Sequence, residues 1–237
     1  AHTHARIVSM NFDKALAIEG VEAVIDVLKD RHHVARFNGQ PIAAVAAVDE
    51  ETAERALHAI EVEYEPRPFV VDPIEALAEG APEVFPEGKK DPLNASEGPI
   101  PPAKWEGNLR KPKMINSMLS HHKNRAQKTL AKARAGEDGL VLVEGTYRTG
   151  GQCHTALEPH CCVAKWQDGQ LTVHTSTQSV HLLMEELAEH YKLKPNQVTV
   201  HAEFVGGAFG GKQGMQLETT TAVDLAKQTG KPVRLVQ

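Results

Sequence analysis

Nine prolines (Pro66, Pro68, Pro73, Pro82, Pro86, Pro92, Pro99, Pro101 and Pro102) crowd the stretch between residues 66 and 102. Proline fixes φ and lacks an amide donor, so neither a long helix nor an inner strand runs through such a segment. The chain is thereby expected to split into a block before residue 66 and a block after it, joined by an extended crossing. Its 237 residues leave room for one large or two small domains. An apolar share of 41% is enough for packed cores.

The first block has alternating signals. Residues 13–18 suggest a short helix and residues 22–27 a β-branched strand. Residues 41–48 form a continuous apolar run that is expected to be a fully buried strand. Asp49 then caps a helix over 50–60, with Glu50 and Glu51 at its positive end, and residues 60–64 return as a strand. This strand–helix–strand order points to a small mixed α/β unit.

The later block is expected to begin near residue 140. Residues 141–147 alternate like a strand. Residues 161–166 and 171–176 flank Asp168-Gly169, a hairpin turn signal. Ser179 is placed to cap a helix carrying Leu183, Leu187 and Tyr191 at helical spacing. A short strand at 197–201, a glycine-rich loop, a helix over 215–229 and a strand from 233 complete the order. The expectation is an α+β (mixed α/β) chain with domains at 1–66 and 140–237, linked by the Pro-rich and basic segment 67–139.

Charge is unevenly spread. Residues 104–135 carry 9 basic and 1 acidic side chains, whereas residues 1–100 carry 9 basic and 19 acidic ones. The basic stretch is rich in Lys, Ala and Leu and is expected to be helical over 114–135. It reads as the solvated face of a connector, or as a surface for a partner. No aromatic interleaving suggests nucleic-acid stacking, so no nucleic-acid partner is expected. No apolar run approaches the roughly 18 to 20 residues of a membrane span. Cys153, Cys161 and Cys162 are odd in number and two are adjacent, which argues against a disulfide framework. With no secretory signal visible, a cytoplasmic setting is expected.

Three motifs could carry chemistry. Gly206 to Lys212 fits G-x-x-x-x-G-K between a strand and a helix, the first seven positions of a phosphate-binding P-loop. Position eight is Gln213 rather than a magnesium-holding Ser or Thr, and Phe209 puts a bulky side chain inside the loop. A nucleotide-binding protein therefore stays as an alternative reading, beside a noncatalytic partner-binding module. Whatever the ligand, adjacent glycines allow close backbone approach, and amides at a helix start suit electron-rich groups. Ser176-Thr177-Gln178 offers an amide, both donor and acceptor, at a strand end. Two His and three Cys lie within residues 153–162, but without the paired C-x2–4-C units of structural zinc. Buried thiols acting as small hydrophobes are the expectation there, and no protein-ligated metal.

Taken together, these residues resemble one family. His2-Thr-His-Ala-Arg-Ile-Val-Ser9, the elements of residues 41–64 and Asp72-Pro-Ile-Glu-Ala-Leu77 resemble the α/β hammerhead domain of xanthine dehydrogenases and aldehyde oxidases. Gln152-x-His154-x3-Glu158-Pro-His160, Ser176-Thr-Gln178 and Gly206-Gly-Ala-Phe-Gly-Gly-Lys212 resemble the start of that family's molybdopterin-binding region. The resemblance covers nearly the whole chain except the basic stretch, which reads as an insertion.

The resemblance implies a molybdenum–molybdopterin cofactor whose metal is held by the pterin rather than by the protein. Gln178 would hydrogen-bond the oxo group on molybdenum, and Gly207, Ala208, Phe209 and Gly210 would line the same centre. The implied reaction is hydroxylation of an aldehyde or N-heterocycle with oxygen from water. Electrons would leave through iron–sulfur clusters, and possibly FAD, on other domains or subunits. Two departures matter: Ala208 stands where the family commonly has glycine, and Gln213 stands where xanthine-oxidising members carry a substrate-contacting glutamate. Gln213 is thus the substrate-facing candidate, and an aldehyde or another heterocycle becomes the expected substrate. The family's catalytic base lies in a part of the subunit beyond these residues. The 237 residues alone are therefore expected neither to turn over substrate nor to retain the cofactor, and to need the rest of the molybdopterin subunit.

Overall fold

The computed structural model describes residues 2–28, 33–86, 104–111 and 115–236. They fall into two compact units, one holding the residues up to Val84 together with His154–Gln237, the other holding Gly98–Cys153. The part of the proline-rich crossing from 87 to 103 lies outside the described residues.

The first unit opens with β1 (Ala5–Asn11), α1 (Asp13–Leu16), β2 (Val21–Asp26), β3 (Val34–Ala35), β4 (Ala43–Ala47), α2 (Glu50–Ala59) and β5 (Glu61–Pro66). β1 is the centre of a three-stranded sheet, order β3-β1-β5, while β2 and β4 form an antiparallel pair. Asp49 caps α2 as its position suggests, accepting from the Thr52 amide at 2.8 Å. The apolar run around β4 is not fully buried as expected: Ala46 is buried, but Val48 is 64% exposed. The reason is topological, since among the described residues β4 pairs with one strand, β2. After Pro66 the chain makes a short 3-10 turn, Glu75–Leu77. Asp72 starts it by accepting from the amides of Ile74 and Glu75.

The same unit continues with β8 (Cys161–Gln167), β9 (Gln170–Thr175), α4 (Val180–Tyr191), β10 (Val198–His201), α5 (Leu217–Thr229) and β11 (Val233–Val236). The Asp168-Gly169 turn, with both residues at positive φ, joins β8 to β9 in register, Gln167 facing Gln170. The sheet runs β10-β9-β8-β11. β10 lies parallel to β9, as the crossover through α4 requires. Strand residues Cys162, Ala164, Leu171, Val173 and Val198 meet Leu183, Leu187, Met215, Ala222 and Val223 in the main core. Ser179 occupies the position before α4 but makes no side-chain cap; the Thr177 hydroxyl accepts from the Ser179 amide instead. A smaller core of Ala23, Ala46 and Leu225 joins the β2–β4 pair to α5. Lys231–Glu22 and Arg234–Glu50 ion pairs lie on the surface across the same junction.

In the second unit β6 (Lys104–Glu106) and β7 (Leu109–Lys111) make a small hairpin. It is followed by α3 (Ile115–Arg134), close to the helix expected for the basic stretch. The described side chains of its last ten residues are mostly exposed. The strand expected at 141–147 does not form: the segment is irregular, and Val141, Val143 and Tyr147 are 84%, 87% and 93% exposed. Alternation makes a strand only when a neighbour supplies the ladder, and among the described residues no strand pairs with it.

Leu187 is fully buried in the main core. Leu187→Ala should cost about 2–5 kcal/mol, read as a lower urea midpoint with the slope unchanged. An unchanged midpoint would contradict this packing.

Candidate functional site

Strand directions bring three separate segments to one end of the four-stranded sheet. β9 and β10 are parallel, with Leu171 opposite Val198 and His174 opposite His201. Whatever follows them therefore leaves at the same end: Ser176-Thr177-Gln178 after β9, and the glycine-rich loop after β10. β8 runs antiparallel to β9, with Cys162 opposite Thr175, so Glu158, just before β8, starts at that end too. The carboxyl ends of parallel strands are where sheets of this kind take ligands.

Lys212 ties the three segments together. Its side chain is 1% exposed. The Nζ atom donates to the Glu158 carbonyl at 2.9 Å, to Glu158 Oε2 at 3.0 Å and to Ser176 Oγ at 3.0 Å. An ammonium has three N–H donors, and all three are taken. Glu158 Oε2 also accepts from the Ser176 hydroxyl at 2.5 Å and from the Gly206 amide at 2.6 Å. The Lys212 carbonyl in turn accepts from the Gln178 amide at 2.8 Å and the Thr177 hydroxyl at 3.2 Å. Gly206 has to be glycine here, because a Cβ would sit 2.7 Å from Glu158 Cβ. The hydrogen bond from Ser176, then that from Lys212, hold the Glu158 carboxyl well below its ordinary value of 4.5, at about 2. The Gly206 amide adds to this effect. Removing one partner of a buried ion pair costs roughly 3–5 kcal/mol, because the other charge is left uncompensated.

The loop is unevenly exposed: Phe209 and Gly210 are exposed, Gly207 is half-buried and Ala208 is buried. Gly210 turns at φ +93° and its amide donates to Gln178 Oε1 at 3.0 Å. With its oxygen held, the exposed Gln178 carboxamide presents Nε2 as a donor. Among the described residues, no acceptor meets the amides of Gly207, Ala208 or Phe209. Phe209 adopts φ +50°, sparsely used by residues other than glycine, and the residue is 73% exposed. The ring of His154 lies against Gly211, where a Cβ would be 3.0 Å from it. Gln213 follows the loop, half-buried, with its carbonyl accepting from Gln216 Nε2.

The structure thus brings Gln178, Gly207, Ala208, Phe209, Gly210 and Gln213 into one region. It also assigns places that the sequence did not. Glu158, Ser176 and Lys212 were visible as parts of motifs, but nothing in their order shows that they meet. The P-loop alternative fails on geometry: the Lys212 ammonium points into the protein and has no donor left for a phosphate. Of the thiols expected to be buried, Cys162 is, whereas Cys161 is half-buried and Cys153 is exposed; His160 serves pairing. His160 Nδ1 meets buried Glu218 at 3.2 Å. Burial pushes the Cys162 thiol up to about 12, which makes it an inert hydrophobe.

A small α/β unit packs on a sheet-and-helix domain, and a loop with unpaired amides lies at the carboxyl ends of parallel strands, the place where such sheets take ligands. The family model for the molybdopterin cofactor-binding domain matches residues 111–237. The model for the aldehyde oxidase and xanthine dehydrogenase a/b hammerhead domain matches residues 27–68. The chain belongs to the xanthine dehydrogenase/aldehyde oxidase family, as part of its molybdopterin-binding subunit.

Among the relatives, a probable hypoxanthine oxidase of Escherichia coli O157:H7 is 32% identical over 98% of this chain and 27% of its own length. The nicotinate dehydrogenase large molybdopterin subunit of Eubacterium barkeri is 30% identical over 99% of this chain and 52% of its own. The crystal structure of a Cu,Mo-CO dehydrogenase superposes with a TM-score of 0.78 at 26% identity, covering all of this chain and 30% of that one. The chain therefore spans between about a quarter and a half of the length of these relatives. Among the described residues, no helix is long and apolar enough to cross a membrane.

A carboxylate whose value is lowered on folding adds stability above its ordinary value, and that stability is lost as pH falls through the lowered one. Glu158→Gln should be less stable than the unaltered chain at pH 6, and the gap should close as pH falls from about 4.5 towards about 2. Urea titrations across that range measure it, and a gap independent of pH would contradict the assigned network.

Proposed function

We propose that this chain forms one wall of the molybdenum–molybdopterin site of a hydroxylase that oxidises an aldehyde or an N-heterocycle with oxygen drawn from water. The observation that carries this reading is the run of amides at Gly207, Ala208 and Phe209 that meet no acceptor among the described residues, on a loop tied to the exposed Gln178 carboxamide. The fit is chemical. These donors suit an electron-rich group with oxygen and sulfur atoms, and Gly210 is the least crowded of the loop glycines, a Cβ there meeting nothing nearer than His154 Nε2 at 3.9 Å. When bound, the cofactor supplies the two-electron oxidation chemistry that the protein side chains lack.

The residues of this chain bind and orient. Gln178 Nε2 donates to the polar edge of the cofactor, and the three amides hold its position. Gly210 contributes through Gln178, since its own N–H is already engaged there. Gln213, just past the loop, faces the substrate as a neutral amide, which favours an uncharged aldehyde or heterocycle over recognition by a carboxylate. No Glu among these residues is assigned as the base; that role belongs to the remainder of the molybdopterin subunit. The reading also implies iron–sulfur and flavin domains or subunits as electron partners and a cytoplasmic setting, in keeping with three cysteines that are thiols rather than disulfides.

Excess molybdenum–molybdopterin released from a donor enzyme should slow hydrogen exchange at the amides of Gly207, Ala208 and Phe209. Gln178→Leu should weaken the apparent affinity about tenfold, the loss of one hydrogen bond to a charged or strongly polar group. Exchange at these amides that ignores saturating cofactor would overturn the reading.

A further inference from the structure

We propose that Lys212 is the positioning residue of this site: through Glu158 and Ser176 it locks the glycine-rich loop and the Gln178 segment into the arrangement that receives the cofactor. The inference rests on the cofactor reading above and extends it from the groups facing the ligand to the group that sets them.

Four observations carry it. First, Lys212 reaches both sides of the site with different atoms. Its Nζ holds Glu158 and Ser176, while its carbonyl holds the Gln178 amide and the Thr177 hydroxyl. Second, Glu158 passes the constraint to the start of the loop by accepting from the Gly206 amide. Third, the far end of the loop is tied to Gln178 by the Gly210 amide, so the loop is clamped at both ends by segments that Lys212 holds. Fourth, although Ala208 is buried, the turn at Phe209 has little support of its own. Phe209 is at positive φ and mostly exposed, and Gly211 to Ala208 is the one hydrogen bond within it among the described residues.

A loop of this kind has many competing conformations, and ordering it costs conformational entropy. With the clamp in place that cost is met before the ligand arrives, which is preorganisation. A lysine beside a glycine loop normally serves its ligand as a point charge. Here it is buried and fully partnered, and acts on the ligand through the backbone.

The test is amide hydrogen exchange on the whole chain, first without and then with released molybdenum–molybdopterin. Lys212→Met keeps the length and removes the ammonium. Leu225→Ala, in the core on the far side of α5, serves as a control for general destabilisation. Lys212→Met should speed exchange at Gly206, Gly210 and Gln178 roughly tenfold or more and weaken cofactor binding by a similar factor, as expected for losing hydrogen bonds to a charged group. Leu225→Ala should leave both unchanged after correction for global opening.

Should Lys212→Met fail to fold, Ser176→Ala removes one contact from the same cluster and should still speed exchange at Gly206 several-fold. A folded Lys212→Met chain with loop exchange and affinity like the unaltered chain would overturn the proposal, as would a Ser176→Ala chain with no change at Gly206. The two readings fail separately. If the unaltered chain shows no protection with cofactor, the binding assignment is lost, while the exchange difference without cofactor still decides whether Lys212 orders the loop.

Discussion

The site depends on burying one ammonium group. A lysine taken out of water is costly unless every donor finds an acceptor, and Lys212 meets that condition with Glu158 and Ser176 alone. Satisfying it forces three distant segments to converge, because the acceptors lie 54 and 36 residues away along the chain. The Glu158 carboxylate is in turn committed to the Gly206 amide, and Gly206 lacks a side chain because the two approach so closely. The loop that follows is held from within, and the amides of Gly207, Ala208 and Phe209 meet no acceptor among the described residues.

The parallel pairing of β9 and β10 makes that convergence possible. A hairpin would send the chain out at opposite ends of successive strands, whereas the crossover through α4 returns it to the same end. The rest of the fold supports this arrangement. α4 and α5 bury one face of the sheet, and α5 carries Leu225 into the junction with the small β2–β4 unit. The hammerhead part contributes a scaffold packed on the side of α5, and none of the residues gathered around Lys212 comes from it.

Much of this was legible in the sequence where a local rule decides the outcome. Asp168-Gly169 produced its hairpin, Asp49 its cap, and the spacing of Leu183 and Leu187 its amphipathic helix. The motifs around Glu158, Gln178 and the glycine loop were enough to suggest the family. Legibility failed where the answer depends on distant neighbours. Residues 141–147 alternate like a strand but find no partner among the described residues. The run at β4 is apolar enough for an inner strand but has a single neighbour among the described residues. The inward orientation of Lys212 is fixed by Glu158 and Ser176, and nothing in the local pattern shows which way that side chain points. The missing information in each case is a contact across the fold.

The central claim is that Lys212 points inward and is fully engaged. Its reactivity toward an amine-acylating reagent, read residue by residue by mass spectrometry on the folded chain, tests this most directly. Lys212 should be labelled far more slowly than exposed Lys165, with no effect of added magnesium and ATP. Labelling of Lys212 as fast as Lys165, with protection by magnesium-ATP, would mean that its ammonium faces solvent and a phosphate, and the account given for this site would be wrong.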